Sequence, residues 1–169
     1  MELSLEKKNE LESIYQSFLN DEKILKMREV SMHRGSNCYL HSFRVAKLAI
    51  KRALRHKECD LYVILLGSIL HDYYLYDWRI ERDKMKKHLS SHPYVAAQNA
   101  IRDFNISEEV KKVIETHMWP VNINDFPKTK EARIISNADK AIYFKEIMSS
   151  KRLKKKKEEE HYSEIARLF

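Results

Sequence analysis

Apolar positions recur along most of the chain at three- and four-residue spacing, the period of an α-helix packed on one side. Over residues 4–20, Leu5, Leu11, Ile14, Tyr15, Phe18 and Leu19 form one stripe, which predicts an amphipathic covering helix. A shorter helix is expected over residues 21–28, after which Gly35 and Asn37 mark a loop in MHRGSNC. The next helical pattern starts at Cys38 or Tyr39 and ends near Leu54. It sets His41, Val45, Leu48 and Arg52 on one side and Arg44, Lys47, Lys51 and Arg55 on the other, so that His41 faces mostly inward.

Asp60 can cap a helix through LYVILLGSILHDYY that is apolar nearly all round, the pattern of a central helix with neighbours on every side. A charged, irregular stretch over residues 78–87 leads to HLSSHP. There Ser90 or Ser91 can cap a helix with Pro93 in its first turn, running to about Phe104. Ser107, Glu108 and Glu109 open a further helix that ends near Met118, because Pro120 cannot continue it, and His117 falls in its last turn. PVNINDFP reads as a loop, and residues 130–148 as a long helix.

Two glycines and three prolines in 169 residues leave few turn signals, which favours long helices with short connections over many strands. The expected fold class is all-α, a helical bundle whose length suits a single domain over residues 1–169. Residues 33–148 would form its core, residues 1–28 covering helices, and residues 151–169 a charged C-terminal helix. Cys38 and Cys59 show no CxxC spacing and are read as reduced. MELSLEKKNELES lacks the basic-then-apolar order of a signal peptide, and the longest apolar stretch, 61–70, is too short to cross a bilayer. The expectation is a cytoplasmic protein with no membrane partner, its oligomeric state left open.

The net charge of +7 would favour an anionic partner such as a nucleotide or nucleic acid. Much of the excess is local, since six of the seven residues over 151–157 are basic and precede Glu158, Glu159 and Glu160. Lys154/Glu158, Lys155/Glu159 and Lys156/Glu160 can pair at i,i+4 along one solvated helix. No aromatic residues are interleaved with these lysines to stack on bases, so nucleic acid is the disfavoured partner.

The chemistry concentrates where charge meets apolar helix faces. His71-Asp72 is weak evidence as a dipeptide, but it ends the wholly apolar helix, where an ionised carboxylate costs several kcal/mol to desolvate unless compensated. A metal ion would compensate it, and so would Arg79 or Arg82. Asp139, between Ile135 and Ile142, also projects from an apolar face. Lys140 points about 100° away and is a poor partner for it. His41 is a third inward polar group. A lone inward histidine is usually a satisfied core residue, but His92 at a helix start and His117 at a helix end can converge with the others on the mouth of a bundle. Imidazoles and carboxylates without thiolates suit Fe, Mn, Zn or Co, and the set does not choose among them.

The order His41, then His71-Asp72, then Asp139 resembles the H…HD…D signature of the HD phosphohydrolase superfamily, over residues 33–147. HRGSNCYLHSFRVA, LLGSILHDYYLYDW, HLSSHP, THMWPVN and ISNADKA are similar to one bacterial branch of that family. The resemblance implies a helical bundle in which His41, His71, Asp72 and Asp139 bind one divalent ion. It implies that His92 and His117 complete a second site, with Asp72 bridging. Hydrolysis of a phosphate ester or anhydride, of a nucleotide or another small phosphorylated molecule, would follow at His71 and Asp72, with hydroxide shared by metals roughly 3.5 to 4 Å apart. Mg, bound weakly, joins the candidate metals.

The chain departs from the family in one place: many members carry Gly-Lys after the pair, whereas here Leu75 stands at the lysine. Charge or protons for the substrate would then come from Arg34, Lys140, His33 or His88, each of which can equally be a surface residue. Tyr73, Tyr74, Tyr76 and Trp78 could stack a base or belong to the core. Two other functions stay open: a non-catalytic sensor that binds a nucleotide at the same metal site, and a di-iron oxygenase on the same scaffold.

Overall fold

Most helices start where a short polar side chain takes up the free N–H groups of the first turn. In a computed structural model, which describes residues 3–32, 36–56, 58–78, 87–149 and 158–169, Ser4 caps α1 (Leu5–Leu19) and Asp21 caps α2 (Glu22–Leu25). The latter runs into a 3-10 turn, Lys26–Arg28. Asn37 caps α3 (Cys38–Ala53) and Asp60 caps α4 (Leu61–Leu70). Among the described residues the helices are accompanied by a single isolated bridge, Ser31 to Asn37, and by no strand. The protein is all-α.

The next helix corrects one expectation. α5 (His88–Phe104) begins at Lys87 without a side-chain cap, and Pro93 lies inside it, a turn later than anticipated. The hydroxyls of Ser90 and Ser91 donate back to the Lys87 carbonyl instead of accepting from N–H groups ahead, so the helix starts before them. α5 ends on Asn105 in the left-handed region, φ 47°, whose N–H bonds to Ile101 O. Ser107 caps α6 (Glu108–Glu115), Thr129 caps α7 (Lys130–Met148), and α8 is Glu158–Ile165.

α4 is the axis of the bundle. Nine of its ten residues are buried, Tyr62 excepted, and it contacts α1, α3, α5, α6 and α7. Gly67 permits the closest approach: a Cβ there would lie 2.5 Å from Val113 Cγ2 on α6 and 2.9 Å from Ile135 Cδ1 on α7. α1 covers this core through Leu11 and Tyr15, while Leu5, at the start of its stripe, is exposed. α8 docks onto α1 and α3: Tyr15 Oη donates to Ile165 O at 2.7 Å, and Ile165 and Leu168 are buried.

That docking overturns the outward reading of Arg44. Its guanidinium is roofed by α8 and pairs with Glu146 at 2.8 Å and Glu164 at 2.9 Å. The i,i+4 pairs proposed for Lys154, Lys155 and Lys156 involve residues outside the described ones. Among the described residues no helix is long and apolar enough to cross a membrane, and neither Cys38 nor Cys59 is in a disulfide.

Candidate metal centre

The chain delivers its candidate ligands from five places to one point. His41 comes from the first turn of α3, His71 and Asp72 from the turn that ends α4, His92 from the second turn of α5, and Asp139 from the middle of α7. His117 lies two residues past the end of α6, not in its last helical turn, and its N–H still reaches Ile114 O. The four histidines and Asp72 are buried, and the Asp139 side chain is 13% exposed.

Asp72 divides the cluster. Its Oδ2 lies 3.3 Å from His71 Nε2, while Oδ1 lies 3.3 Å from His92 Nε2 and 3.8 Å from His117 Nε2. Asp139 Oδ1 is 3.0 Å from His41 Nε2 and 3.7 Å from His71 Nε2. His41, His71 and Asp72 form one group able to hold a metal ion, and Asp72, His92 and His117 another; His71, His117 and Asp139 connect them. A single carboxylate thus faces two adjacent ligand sets through different oxygens.

The far side of each imidazole fixes its tautomer. Nδ1 of His71, His92 and His117 donates to the carbonyls of Ser68, His88 and Ile114 at 2.8, 2.9 and 2.7 Å. In the neutral rings the Nε2 atoms then present lone pairs to the centre, the arrangement of histidine that ligates metal. Two observations fit a cation there. His71 Nε2 is buried without a hydrogen-bond partner, aligned with neither neighbouring carboxylate. The Nε2 atoms of His92 and His117 face each other at 3.0 Å, an unfavourable contact of lone pairs unless a proton or metal ion lies between them. Two nitrogens about 2.1 Å from one ion and at right angles to each other would be roughly 3 Å apart.

Charge in the cluster responds accordingly. Burial disfavours the imidazolium of His41, but hydrogen bonds to Asp139 and Glu146 outweigh it and lift its pKa to about 9. His71 is likewise raised against its burial, by the Asp72 charge and Asp139. Burial, reinforced by repulsion from His71 and His92, pushes His117 down to about 3. Asp72 and Asp139 are both held well below the usual carboxylate range: burial opposes ionisation, and the adjacent histidines override it.

The centre floors a cavity of about 860 Å³. Tyr74, Trp78 and His88 form one wall, Tyr143, Phe144 and Ile147 of α7 the other. Of the substrate-binding candidates, His33 and Arg34 lie outside the described residues. His88 lines the cavity, stacked between Trp78 and His92 with Nδ1 3.0 Å from Tyr76 Oη. Lys140 also lines it, but its ammonium donates to His117 O at 3.1 Å and to Ser136 O and Oγ. Burial lowers the Lys140 pKa. Tyr73 faces away, its hydroxyl on Asp103. The alternative partners Arg79 and Arg82 are outside the described residues, and Asp139 pairs with imidazoles instead of Lys140.

Sequence reasoning missed Glu146. Buried on α7, it lies 2.9 Å from His41 Nδ1 through Oε2. Its seven-residue spacing from Asp139 was the available signal, since i and i+7 share a helix face.

A helical bundle holding a buried His/Asp cluster able to bind divalent ions defines the class. The family model for the HD domain matches residues 38–142, and the chain belongs to that family, a superfamily of metal-dependent hydrolases. No curated protein and no solved structure matches it.

Proposed function

We propose that the protein is a metal-dependent phosphohydrolase that cleaves a phosphate ester or anhydride of a small molecule, a nucleotide being the first candidate. The observation that carries this reading is the two-sided placement of Asp72 between His71 on Oδ2 and the His92/His117 pair on Oδ1. His41, His71, Asp72 and Asp139 would hold one ion and His92, His117 and Asp72 the second. Bound divalent ions supply Lewis acidity, which makes water nucleophilic near neutral pH and neutralises phosphoryl oxygens.

The chain's own residues do the rest. Three main-chain carbonyls keep the lone pairs of His71, His92 and His117 on the reacting side. The aromatic wall of Tyr74, Trp78 and His88 offers a stacking surface for a base or another apolar body and limits water around the phosphoryl group. His88, beside His92 and hydrogen-bonded to Tyr76, is the candidate to protonate a leaving oxygen.

The test is phosphate release from mixed nucleotides and an aryl phosphate by protein loaded with Mn, Fe, Co, Zn or Mg. Turnover with at least one metal is expected. Tight nucleotide binding without breakdown under every metal would replace hydrolysis by sensing.

A further inference from the structure

Glu146 is a carboxylate buried in the helical core, a placement that costs several kcal/mol without compensation. Its two oxygens are divided between two tasks. Oε1 accepts from Arg44 at 2.8 Å and from Ser36 Oγ at 3.0 Å, while Oε2 faces His41 Nδ1 at 2.9 Å. Arg44 is in turn fixed by Glu164 and by His161 Nδ1, both at 2.9 Å. With Oε1 anchored this way, Oε2 is left to hold the His41 ring by its Nδ1–H and aim Nε2 at the centre.

The other three imidazoles of the centre rest on neutral main-chain carbonyls, at Ser68, His88 and Ile114. A carboxylate acceptor makes an imidazole a stronger donor to a metal than a carbonyl acceptor does. We propose that Glu146 is a positioning residue that makes the two metal sites unequal, strengthening the one containing His41 over the one formed by His92 and His117. This rests on the metal-centre reading, and it assigns the chain from Glu146 through Arg44 to α8 the task of tuning one ion selectively.

Titration of the metal-free full-length protein with Zn²⁺ or Mn²⁺ alone, followed by calorimetry, tests the assignment without any substrate. Wild type is expected to show two binding steps of different affinity. E146Q keeps an oxygen for Nδ1–H but loses the charge, and E146M keeps the bulk but loses the acceptor. The tighter step should weaken by about 10- to 100-fold, more in E146M than in E146Q, with the second step within about twofold. Loss confined to one step separates positioning from a general loosening of the fold, which would weaken both because both share Asp72.

Equal weakening of both steps, or no weakening in E146M, overturns the assignment while leaving the metal centre intact. A wild-type protein that takes up no divalent ion overturns the metal-centre reading and this one with it. Should the variants not fold, nitrogen-15 spectra of zinc-loaded wild type decide. The His41 Nδ1 proton is expected further downfield than those of His92 and His117, and equal positions or an unprotonated Nδ1 overturn the proposal.

Discussion

His41 and His117 are both buried imidazoles of one cluster, yet their surroundings solve the problem of burial in opposite ways. His41 lies between two carboxylates, Asp139 at 3.0 Å and Glu146 at 2.9 Å, so a protonated ring is welcome there. His117 meets His92 nitrogen to nitrogen at 3.0 Å, with the edge of His71 4.9 Å away between ring centres, so a protonated ring is repelled. One half of the centre surrounds its imidazole with carboxylates; the other sets two imidazole nitrogens against each other, with a proton or a metal ion needed between them. Residue type alone therefore says little about a buried histidine, and the groups behind and opposite the ring decide its charge.

The largest effect is expected where the halves join. Asp72→Ala removes the carboxylate that faces both halves and, under the proposed hydrolysis, should lower phosphate release by at least about a thousandfold, with bound metal reduced at both sites. Elemental analysis beside the activity assay checks it, and surviving activity would show that the halves do not share Asp72. His117→Ala and His41→Ala should separate them. The first is expected to abolish one bound ion and spare the His41 site, the second the reverse, read as ions per chain by elemental analysis. Loss of both ions in each variant would mean one indivisible site.

Acidity should pull the halves in opposite directions in chelator-treated protein. An unfolded histidine titrates near 6.5. His41, raised to about 9, contributes stability that is complete below about pH 6.5 and lost as pH rises through 9, and His71 acts in the same sense. His117, lowered to about 3, contributes stability that is present above about pH 6.5 and lost progressively as pH falls toward 3. Asp72 and Asp139, held below their usual range, add a further loss only below about pH 4. Each limb is worth roughly a few kcal/mol. Thermal melts from pH 5 to 9.5 should peak in between, and divalent metal should flatten the alkaline limb by replacing the protons. Metal-free protein that grows more stable from pH 7 to 9 would contradict the carboxylate clamp around His41.

The two halves were also unequally legible in the sequence. His41 and Asp139 showed themselves as polar groups on otherwise apolar helix faces, and the central helix ending in His71-Asp72 was plain from its all-round apolar character. The sequence pattern sets His92 in the first turn of its helix and His117 in the last turn of its own, whereas the serine hydroxyls of α5 fold back onto Lys87 and α6 stops at Glu115. What stayed hidden is what tertiary packing adds. The charged stripe of α3 gives no sign that α8 covers Arg44, and without that cover the seven-residue spacing from Asp139 is the one hint that Glu146 turns inward.

The smallest effect asks whether the His92/His117 half depends on the helix that leads to it. Ser107 Oγ accepts from Val110 N at 3.4 Å, a long bond, so Ser107→Ala should cost about 1 kcal/mol of stability or less. The cap lies at the end of α6 opposite His117, and Val113 and Ile114 are clamped between against the bundle core. Fraying at the cap should therefore stop before His117. Thermal melts are expected to show a drop of about 3 °C, with both metal-binding steps unchanged. A selective weakening of the looser step would mean instead that α6 transmits strain along its whole length, and that the His92/His117 half is set by helix stability as well as by the facing nitrogens.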